Sequence, residues 1–344
     1  MSEHKKTDQK KLKIAYLGAG TWAFCLACLL AAKGHDVTIW VSNPKIAKAL
    51  KETGQHPNLL GHIPEGNLYY TEDMAEAVKG ADLIAEGVTS AGIRPVFEKL
   101  KKIKNAPDCP IVLTSKGIEQ NTGLLLTEVV MEVLGMPSRS RIGCLSGPSH
   151  AEEVIKGMPT SVVCSAYDHQ VMEFIQNAFA TPHFRVYRNA DINGVEFGGA
   201  MKNIIAIACG ISDGLGFGDN TKAALMTRGL FEIIKLCVTK GCHPQTLNGL
   251  AGMGDLCVTC LSRFSRNYRY GELLAKGVDP ELAKETIGVV VEGAYTCVSA
   301  LQLAKNANIE LPITQAIYDI IYERKKPSEC VKNLLKRPIK EEYI

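Results

Sequence analysis

A short glycine-rich turn between two apolar segments, near the start of the chain, limits the folds that this sequence can adopt. Residues 14–41 have the pattern of a buried strand, a turn, an apolar helix and a second strand. Gly18 permits a tight turn, Gly20 lets a pyrophosphate approach the backbone, and the small Ala23 lets the helix pack closely on the strand. The free N–H groups at the start of such a helix bind phosphate. This order predicts a dinucleotide-binding unit; the alternative is a glycine-rich turn in another α/β fold.

Strand-like and helical segments continue to alternate through the first half of the chain. Further strand-like runs lie at residues 82–88, 110–114, 142–145, 160–164 and 184–187. Helical patterns alone follow, at residues 194–212, 220–239, 280–287, 293–306 and 314–323. The sequence therefore predicts an α/β fold: a Rossmann-type doubly wound sheet domain, residues 12–193, followed by an all-helical C-terminal domain for substrate binding and dimerisation, residues 194–344. In such sheets the ligand lies beyond the carboxyl ends of the strands.

The composition is that of a globular chain and disfavours some partners. Of the 344 residues, 46% are hydrophobic and 22% are charged, and a net charge of +3 is too small to favour nucleic acid. Part of the positive charge lies in residues 1–11, which have no apolar face and are expected to form a mobile tail. Twelve cysteines without a framework spacing indicate a reducing compartment, so we expect a cytoplasmic protein.

One apolar run has some features of a membrane segment. Residues 14–32 are uncharged and follow a basic stretch, as in signal peptides and membrane anchors. Gly18 and Gly20 interrupt the run where a strand would turn into a helix. We therefore expect no membrane span.

A single lysine lies within the least polar stretch of the chain. Almost every position in residues 197–211 is apolar or small, so a helix here is buried on all sides, and Lys202 lies within it. A buried ammonium group either pairs with an acid or loses its proton, and a lysine with such a lowered pKa can serve as an acid/base catalyst. The alternative is that the long side chain of Lys202 reaches the surface. We expect Lys202 to be catalytic.

Polar residues at other turns and strand ends suit an anionic substrate. Lys116 follows a predicted strand and could hold a phosphate, although most loop lysines are simply solvated. Asp255 lies among glycines and apolar residues, so it needs a partner such as a lysine. Ser265, Arg266 and Asn267 combine a hydroxyl, a guanidinium and an amide, which suits a phosphate; a solvated basic loop is the alternative.

Two further motifs resemble a zinc site and a serine nucleophile, but their spacing argues against both. Cys257 and Cys260 are spaced like zinc ligands, but no second pair has the regular spacing of a zinc finger, so we expect no metal. Ser149 and His150 suggest a nucleophile and its base, but adjacent residues seldom face each other productively.

The end of the second strand bears on the choice of cofactor. NAD-selective sites place an acid roughly 20 residues beyond the glycines. Here Ser42, Asn43 and Lys45 occupy that region, and no acid comes before Glu52. We expect a nicotinamide cofactor, NADP or NAD, with NADPH accepted.

Together these motifs resemble one family, the bacterial-type NAD(P)-dependent glycerol-3-phosphate dehydrogenases, over nearly the whole chain after the tail. The motifs are Gly-Ala-Gly-Thr-Trp at 18–22, Ser-Lys-Gly-Ile-Glu at 115–119, Ser-Gly-Pro-Ser at 146–149, Gly-Gly-Ala-Met-Lys-Asn at 198–203, Ser-Asp-Gly-Leu-Gly-Phe-Gly at 212–218, Gly-Met-Gly-Asp-Leu at 252–256, Ser-Arg-Asn at 265–267 and Val-Val-Glu-Gly at 290–293. Ala23 stands where this family usually has glycine, and Ser42 and residues 86–90 also differ from its common versions.

The resemblance implies a reaction, in which hydride passes reversibly between NAD(P)H and dihydroxyacetone phosphate, giving sn-glycerol 3-phosphate for phospholipid synthesis. It implies that Lys202 is the proton donor and acceptor. The residues implied to hold the substrate are Lys116, Gly147, Ser149, Asp255, Ser265, Arg266 and Asn267. Those implied to meet the cofactor, besides Gly18 and Gly20, are Thr21, Trp22, Ser42, Lys116, Ala151, Arg266, Val290 and Glu292. We also expect a homodimer, since helical second domains of this kind often pack against their own copy.

Two other interpretations are open. Another two-domain reductase, acting on a hydroxy acid or a sugar acid, would keep the glycine turn and the buried lysine but would not need the cluster at residues 265–267. A non-catalytic nucleotide-binding regulator, or a membrane-anchored one, would keep the first domain alone. It would have no reason to bury Lys202 near Asp255.

Overall fold

The computed structural model describes residues 10–339 and 341–342 of the chain and contains one eight-stranded sheet. Its strands are β1 (Lys13–Leu17), β2 (Asp36–Trp40), β3 (Asn67–Thr71), β4 (Leu83–Glu86), β5 (Ile111–Leu113), β6 (Ile142–Ser146), β7 (Thr160–Ala166) and β8 (Phe184–Arg188). Their spatial order is β3-β2-β1-β4-β5-β6-β7-β8, and every neighbouring pair is parallel except β6 and β7. The predicted doubly wound sheet is confirmed.

Helices cover both faces of this sheet, which is why its central strands consist of almost unbroken apolar residues. These helices are α1 (Thr21–Ala32), α2 (Pro44–Thr53), α3 (Met74–Val78), α4 (Ile93–Lys101), α5 (Leu126–Leu134), α6 (Ala151–Val154) and α7 (His169–Phe179). The chain leaves β1 for β2 and β3 on one side and returns to β4 on the other. The strand order therefore reverses between β1 and β4, and a crevice opens at their carboxyl ends.

After β8, the regular secondary structure of the described residues is entirely helical. The helices are α8 (Ile192–Gly214), α9 (Asp219–Val238), α10 (Pro244–Leu247), α11 (Asp255–Leu261), α12 (Arg266–Ala275), α13 (Pro280–Ile287), α14 (Glu292–Asn306), α15 (Pro312–Ile321) and α16 (Pro327–Leu335). A π-helical turn, Leu250–Gly254, leads directly into α11. The predicted all-helical second part is thus confirmed.

Helix α8 is the centre of this second part. Almost all of its 23 residues are buried, and it contacts α9, α11, α12 and α14. By length and composition it is the helix of the described chain that could cross a membrane, but its apolar window is entirely buried inside the protein. Its apolar character is therefore explained by packing within the protein.

Most predicted elements lie within one to three residues of those observed, but not every observed element is predicted. The predicted strand at residues 184–187 is β8, for example, whereas β3 and α16 are not among the predicted elements. Residues 1–9 of the predicted mobile tail lie outside the described residues; Lys11, at its end, forms an ion pair of 2.8 Å with Asp36. The tail and the domain boundary between residues 193 and 194 remain predictions.

Ala23, the small residue in the first turn of α1, has a matching glycine opposite it, directly after β4. A Cβ on Gly87 would lie 2.6 Å from the Cβ of Ala23, closer than two carbon atoms can pack. Gly87 therefore leaves the space that the Ala23 methyl group fills, and α1 still approaches the sheet closely. The turn tolerates Ala23 because of this neighbour.

Candidate active site

A pocket of about 700 Å³ lies at the carboxyl ends of β1, β4 and β5, between the sheet and the helices α8, α12 and α14. It collects most of the predicted site residues. Those that line it are Gly18, Gly20, Thr21, Trp22, Ser42, Lys116, Ser149, Ala151, Lys202, Ser265, Arg266, Asn267, Val290 and Glu292. Gly147 and Asp255, predicted to bind substrate, are not part of the lining. They accept hydrogen bonds from the side chains of Lys116 and Lys202, which do line the pocket.

The glycine turn at one end of the pocket fits a pyrophosphate. Gly18 has a φ of +109°, and a Cβ there would lie 2.8 Å from a methyl group of Val88, so the position requires glycine. Gly20 is the N-cap of α1, and no side chain caps the N–H groups of that helix. These N–H groups are therefore available to an anion, as the binding of a dinucleotide requires.

A loop between α2 and β3 supports this turn, and its residues are not among those predicted from the sequence. His56 is buried; its Nε2 lies 3.0 Å from the carbonyl oxygen of Ala19, and its Nδ1 accepts a hydrogen bond of 3.1 Å from the N–H of Asn58. The Asn58 amide donates to the Thr21 hydroxyl at 3.0 Å. A polar His-Pro-Asn segment in a loop is only a weak signal for such a role.

Lys202 is buried on α8, as predicted, with a residue exposure of 7%. Its ammonium group donates to Asp255 Oδ1 and, at 2.7 Å, to the hydroxyl of Thr259. Burial lowers the pKa of Lys202 to about 8, while the nearby Asp255 carboxylate opposes the shift and Lys116 adds to it. A lysine with a pKa near neutrality can both donate and accept a proton.

Asp255 holds two lysines at once. It is fully buried at the start of α11, and its second carboxylate oxygen accepts a hydrogen bond of 2.7 Å from Lys116. The Lys116 ammonium also donates to the carbonyl oxygen of Gly147 at 3.0 Å. Two ammonium groups around one carboxylate give this group of three side chains a net positive charge, which favours an anionic ligand beside it.

Arg266 brings a further positive charge to the pocket. Its guanidinium is largely withdrawn from water, which lowers its pKa, and the carboxylates of Glu152 and Glu292 act in the opposite direction. Within the described residues it forms no hydrogen bond or ion pair. An arginine held in a pocket with its donors unused is suited to bind a phosphate.

The two neighbours of Arg266 have hydrogen bonds within the protein. The hydroxyl of Ser265 caps α12 by accepting from the N–H of Tyr268 at 3.2 Å. The Asn267 amide donates to Asn203 at 3.0 Å and accepts from the N–H of Gly293 at 2.9 Å. These bonds fix the backbone on either side of Arg266. Direct contact of Ser265 and Asn267 with substrate remains a prediction.

Glu292 links the helical part to the sheet across the pocket. Its carboxylate accepts hydrogen bonds from the N–H of Ser90 at 3.2 Å and from the Ser90 hydroxyl at 2.6 Å. Ser90 follows β4, whereas Glu292 begins α14, so the bond joins the two walls of the pocket. Glu292 is a predicted site residue, whereas its partner Ser90 is not.

The cysteine pair and the Ser149-His150 pair, which the sequence does not favour as reactive sites, make contacts within the protein. Cys257 and Cys260 lie on α11, and nowhere in the described part of the chain do three or more His, Cys, Asp or Glu side chains form a group that could hold a metal ion. His150 contacts the carbonyl oxygen of Val258 at 3.2 Å, and Ser149 donates to the carbonyl oxygen of Gly147 at 3.1 Å. Ser149 and His150 thus each contact a backbone carbonyl group.

A doubly wound sheet with a phosphate-binding turn, completed at its open edge by a helical domain that buries a lysine, defines a two-domain nicotinamide-nucleotide-dependent oxidoreductase. Family models place the chain more narrowly. Residues 13–172 match the model described as NAD-dependent glycerol-3-phosphate dehydrogenase N-terminus, and residues 191–332 match the corresponding C-terminus. The chain belongs to the NAD-dependent glycerol-3-phosphate dehydrogenase family.

Individual relatives agree with this assignment. The chain is 60% identical over 332 residues to a glycerol-3-phosphate dehydrogenase (NAD(P)+) of Protochlamydia amoebophila, covering 96% of this chain and 99% of the relative. It is 55% identical to the Chlamydia pneumoniae protein of the same name, covering 97% and 100%. The solved glycerol-3-phosphate dehydrogenase of Coxiella burnetii superposes with a TM-score of 0.90 at 37% identity, covering 95% of this chain and 99% of that one.

Proposed function

We propose that this protein catalyses the reversible reduction of dihydroxyacetone phosphate to sn-glycerol 3-phosphate. The observation that carries the proposal is the position of an unpaired guanidinium, Arg266, in the same pocket as the buried pair of Lys202 and Asp255. A phosphorylated ketone needs both a phosphate anchor and a proton donor, and the pocket offers each. Bound NAD(P)H supplies the hydride for the substrate carbonyl carbon.

The residues of the chain bind and orient the substrate and move one proton. Lys202 donates a proton to the oxygen that becomes negative as the carbonyl is reduced, and takes it back in the reverse direction. Asp255 holds Lys202 in place and keeps an ammonium group stable in a buried site. Arg266 anchors the phosphate through its planar donors, with Lys116 adding positive charge.

The test is the loss of NADPH absorbance when purified protein is mixed with dihydroxyacetone phosphate, with a 2-oxo acid as a parallel substrate. We expect oxidation with the phosphorylated ketone only. Arg266→Lys should raise the KM for this substrate by roughly 100-fold, because one of the paired donors is lost. Oxidation with the 2-oxo acid and none with the ketone would instead favour a hydroxy-acid reductase.

We infer that NADPH is accepted because the end of β2 offers no carboxylate to the adenosine ribose. Asn43 caps α2 through hydrogen bonds from the N–H groups of Lys45 at 3.0 Å and Ile46 at 3.4 Å. The next acid after Ser42 along the chain is Glu52, at the far end of the helix, where its Oε1 lies 3.8 Å from Lys48 Nζ. This surface suits a 2′-phosphate.

Ser42→Asp should reverse this tolerance. The new carboxylate would repel a 2′-phosphate and accept hydrogen bonds from ribose hydroxyls, so the ratio of kcat/KM for NADPH to that for NADH should fall by about 10- to 100-fold. Steady-state rates with both cofactors measure the ratio, and Ser42→Ala is the control for loss of the hydroxyl alone. An unchanged ratio in the Asp variant would place the specificity elsewhere.

We further propose that the protein acts in the cytoplasm as a homodimer and supplies glycerol phosphate for phospholipid synthesis. Support for the dimer is an open apolar cavity of about 590 Å³ between α8, α9, α15 and α16, away from the site. Light scattering on the purified protein tests the dimer, and cell fractionation tests the location.

A further inference from the structure

The end of β4 carries a buried acid that the reaction described above does not use. Glu86 is 0% exposed and lies at the carboxyl end of a central strand, where the strand order reverses. The next residues, Gly87 and Val88, line the pocket together with Ser115, at the end of β5. A charge on Glu86 would therefore lie directly behind the pocket wall.

The contacts of the Glu86 carboxyl group determine where its proton lies. Oε1 accepts from the N–H of Val88 and lies 2.7 Å from the hydroxyl oxygen of Ser115, which also contacts the carbonyl oxygen of Val88. A serine hydroxyl has one hydrogen and cannot donate to both oxygens. When Ser115 donates its hydrogen to the carbonyl oxygen of Val88, its hydroxyl oxygen can only accept from Glu86. The carboxyl group of Glu86 must then carry the proton of that hydrogen bond.

A negative charge on Glu86 would be stabilised only by hydrogen bonds, because no positively charged side chain among the described residues pairs with it. Its second oxygen, Oε2, is buried and has no hydrogen-bond partner, and no ion pair reaches Glu86 from the described residues. The facing titratable group is Tyr16 on β1, whose hydroxyl is bonded to Thr114 at 2.9 Å, while the Lys116 ammonium is held by Asp255. Burial raises the pKa of Glu86 to about 8, and hydrogen bonds from Ser115 and Val88 only partly oppose this.

We propose that Glu86 is a positioning residue that works as a neutral carboxylic acid: it donates to Ser115, joins the ends of β4 and β5, and keeps negative charge away from the bound nicotinamide. The inference rests on the proposed dehydrogenase reaction only in requiring a nicotinamide cofactor. Ionisation would break the donor link. It would also favour the oxidised ring, which is positively charged, over the reduced one.

The first test compares two variants at about pH 7. Glu86→Gln keeps a neutral polar group whose NH2 can donate to Ser115 from the position of Oε1, at the loss of the acceptor for the Val88 N–H, whereas Glu86→Leu has a similar volume and no hydrogen-bonding group. We expect Glu86→Leu to raise the KM for NADPH about tenfold, with a smaller effect on kcat. The KM of Glu86→Gln should stay within about threefold of that of the parent protein. Equal defects in the Gln and Leu variants, with both folded by circular dichroism, would overturn the proposal.

The second test measures how the charge of Glu86 affects cofactor binding. Lys202 titrates in the same range, so the Kd values of NADPH and NADP+ are measured in a Lys202→Met background from about pH 6.5 to about pH 9.5. We expect the ratio of Kd for NADP+ to Kd for NADPH to fall roughly tenfold as pH rises, and to stay flat when Glu86→Gln is added.

Glu232→Gln in the same background is the matched control, because Glu232 is also a buried acid with a raised pKa but lies near α15, away from the pocket. It should leave the fall in the ratio unchanged. A flat ratio in the Lys202→Met background, or an equal fall after Glu86→Gln, would contradict the proposal. These binding readouts need no turnover, so a wrong substrate assignment would not affect them.

Discussion

At the scale of single residues, burial of Lys202 sets the chemistry of the site. An exposed lysine is protonated at all physiological pH values, whereas burial brings the pKa of Lys202 down to about 8 even though Asp255 holds its ammonium group. Asp255 thus prevents complete loss of the proton, and burial makes the proton available. The same two residues on the surface would form an ordinary ion pair.

The pH dependence of the reaction should follow from this pKa. Reduction needs protonated Lys202, so its kcat should be constant at low pH and fall as pH rises through about 8. Oxidation needs the neutral amine, so its kcat should rise with pH up to the same value. Stopped-flow rates in both directions test these opposite slopes; parallel profiles would exclude Lys202 as the group that transfers the proton.

Lys202→Met should reduce turnover by at least about 1,000-fold while changing the Kd of NADPH less than about threefold, because the side chain is needed for proton transfer and not for the dinucleotide. Binding is measured by NADPH fluorescence. As a control, Lys222→Met removes a lysine that pairs with Asp213, outside the pocket. Turnover close to that of the parent protein in Lys202→Met would disprove its catalytic role.

At the scale of elements, buried acids cap helices that are distant in sequence. Glu232 on α9 accepts hydrogen bonds from the first N–H groups of α15, at Ile313 (2.6 Å) and Thr314 (3.1 Å). Burial nevertheless raises its pKa from 4.5 to about 7, although these N–H groups oppose the shift. The folded state therefore holds the proton of Glu232 more tightly than the unfolded chain does.

Because the folded pKa is the higher one, the contribution of Glu232 to stability is full below about pH 4.5 and is lost as pH rises to about 7. The free energy of unfolding of the parent protein, relative to Glu232→Gln, should fall by about 3 kcal/mol between about pH 4.5 and about pH 7. Urea titrations at several pH values measure this difference. A difference that grows with pH would mean that the ionised, capping form is favoured instead.

At the scale of the whole molecule, the site exists only where the sheet and the helical part meet. Lys116 comes from the end of β5 and Asp255 from α11, and they form an ion pair of 2.7 Å; Ser90 and Glu292 form a second link between the two parts. Neither part alone contains a complete set of phosphate-binding, proton-donating and dinucleotide-binding groups. Contacts across this junction should therefore control cofactor binding more than overall stability.

Ser90→Ala should raise the KM for NADPH by about tenfold, since a hydrogen bond to a charged group is lost at the junction, and should change the midpoint of thermal unfolding only slightly. Steady-state kinetics and calorimetry give the two quantities. Ser140→Ala, at an exposed position of the 3₁₀ helix Met136–Arg141, serves as the control for the loss of a serine hydroxyl. A large drop in stability with an unchanged KM would assign Ser90 a purely structural role.

Local sequence patterns predict the doubly wound sheet without β3, the glycine turn, the helical second half and the burial of Lys202, because periodicity and residue size are local properties of the chain. They also single out Asp255, since a charged residue in a glycine-rich, apolar segment needs a partner, and Arg266, since a guanidinium between a hydroxyl and an amide suits a phosphate.

Which side chains come into contact depends on the tertiary fold. His56 and Ser90 carry little local signal, and the fit of Ala23 against Gly87 joins residues from two separate elements. The structure also shows that Asp255 holds both Lys116 and Lys202 from outside the pocket lining. Hydrogen bonds and desolvation act through space between residues far apart in the chain, so sequence patterns alone do not reveal them.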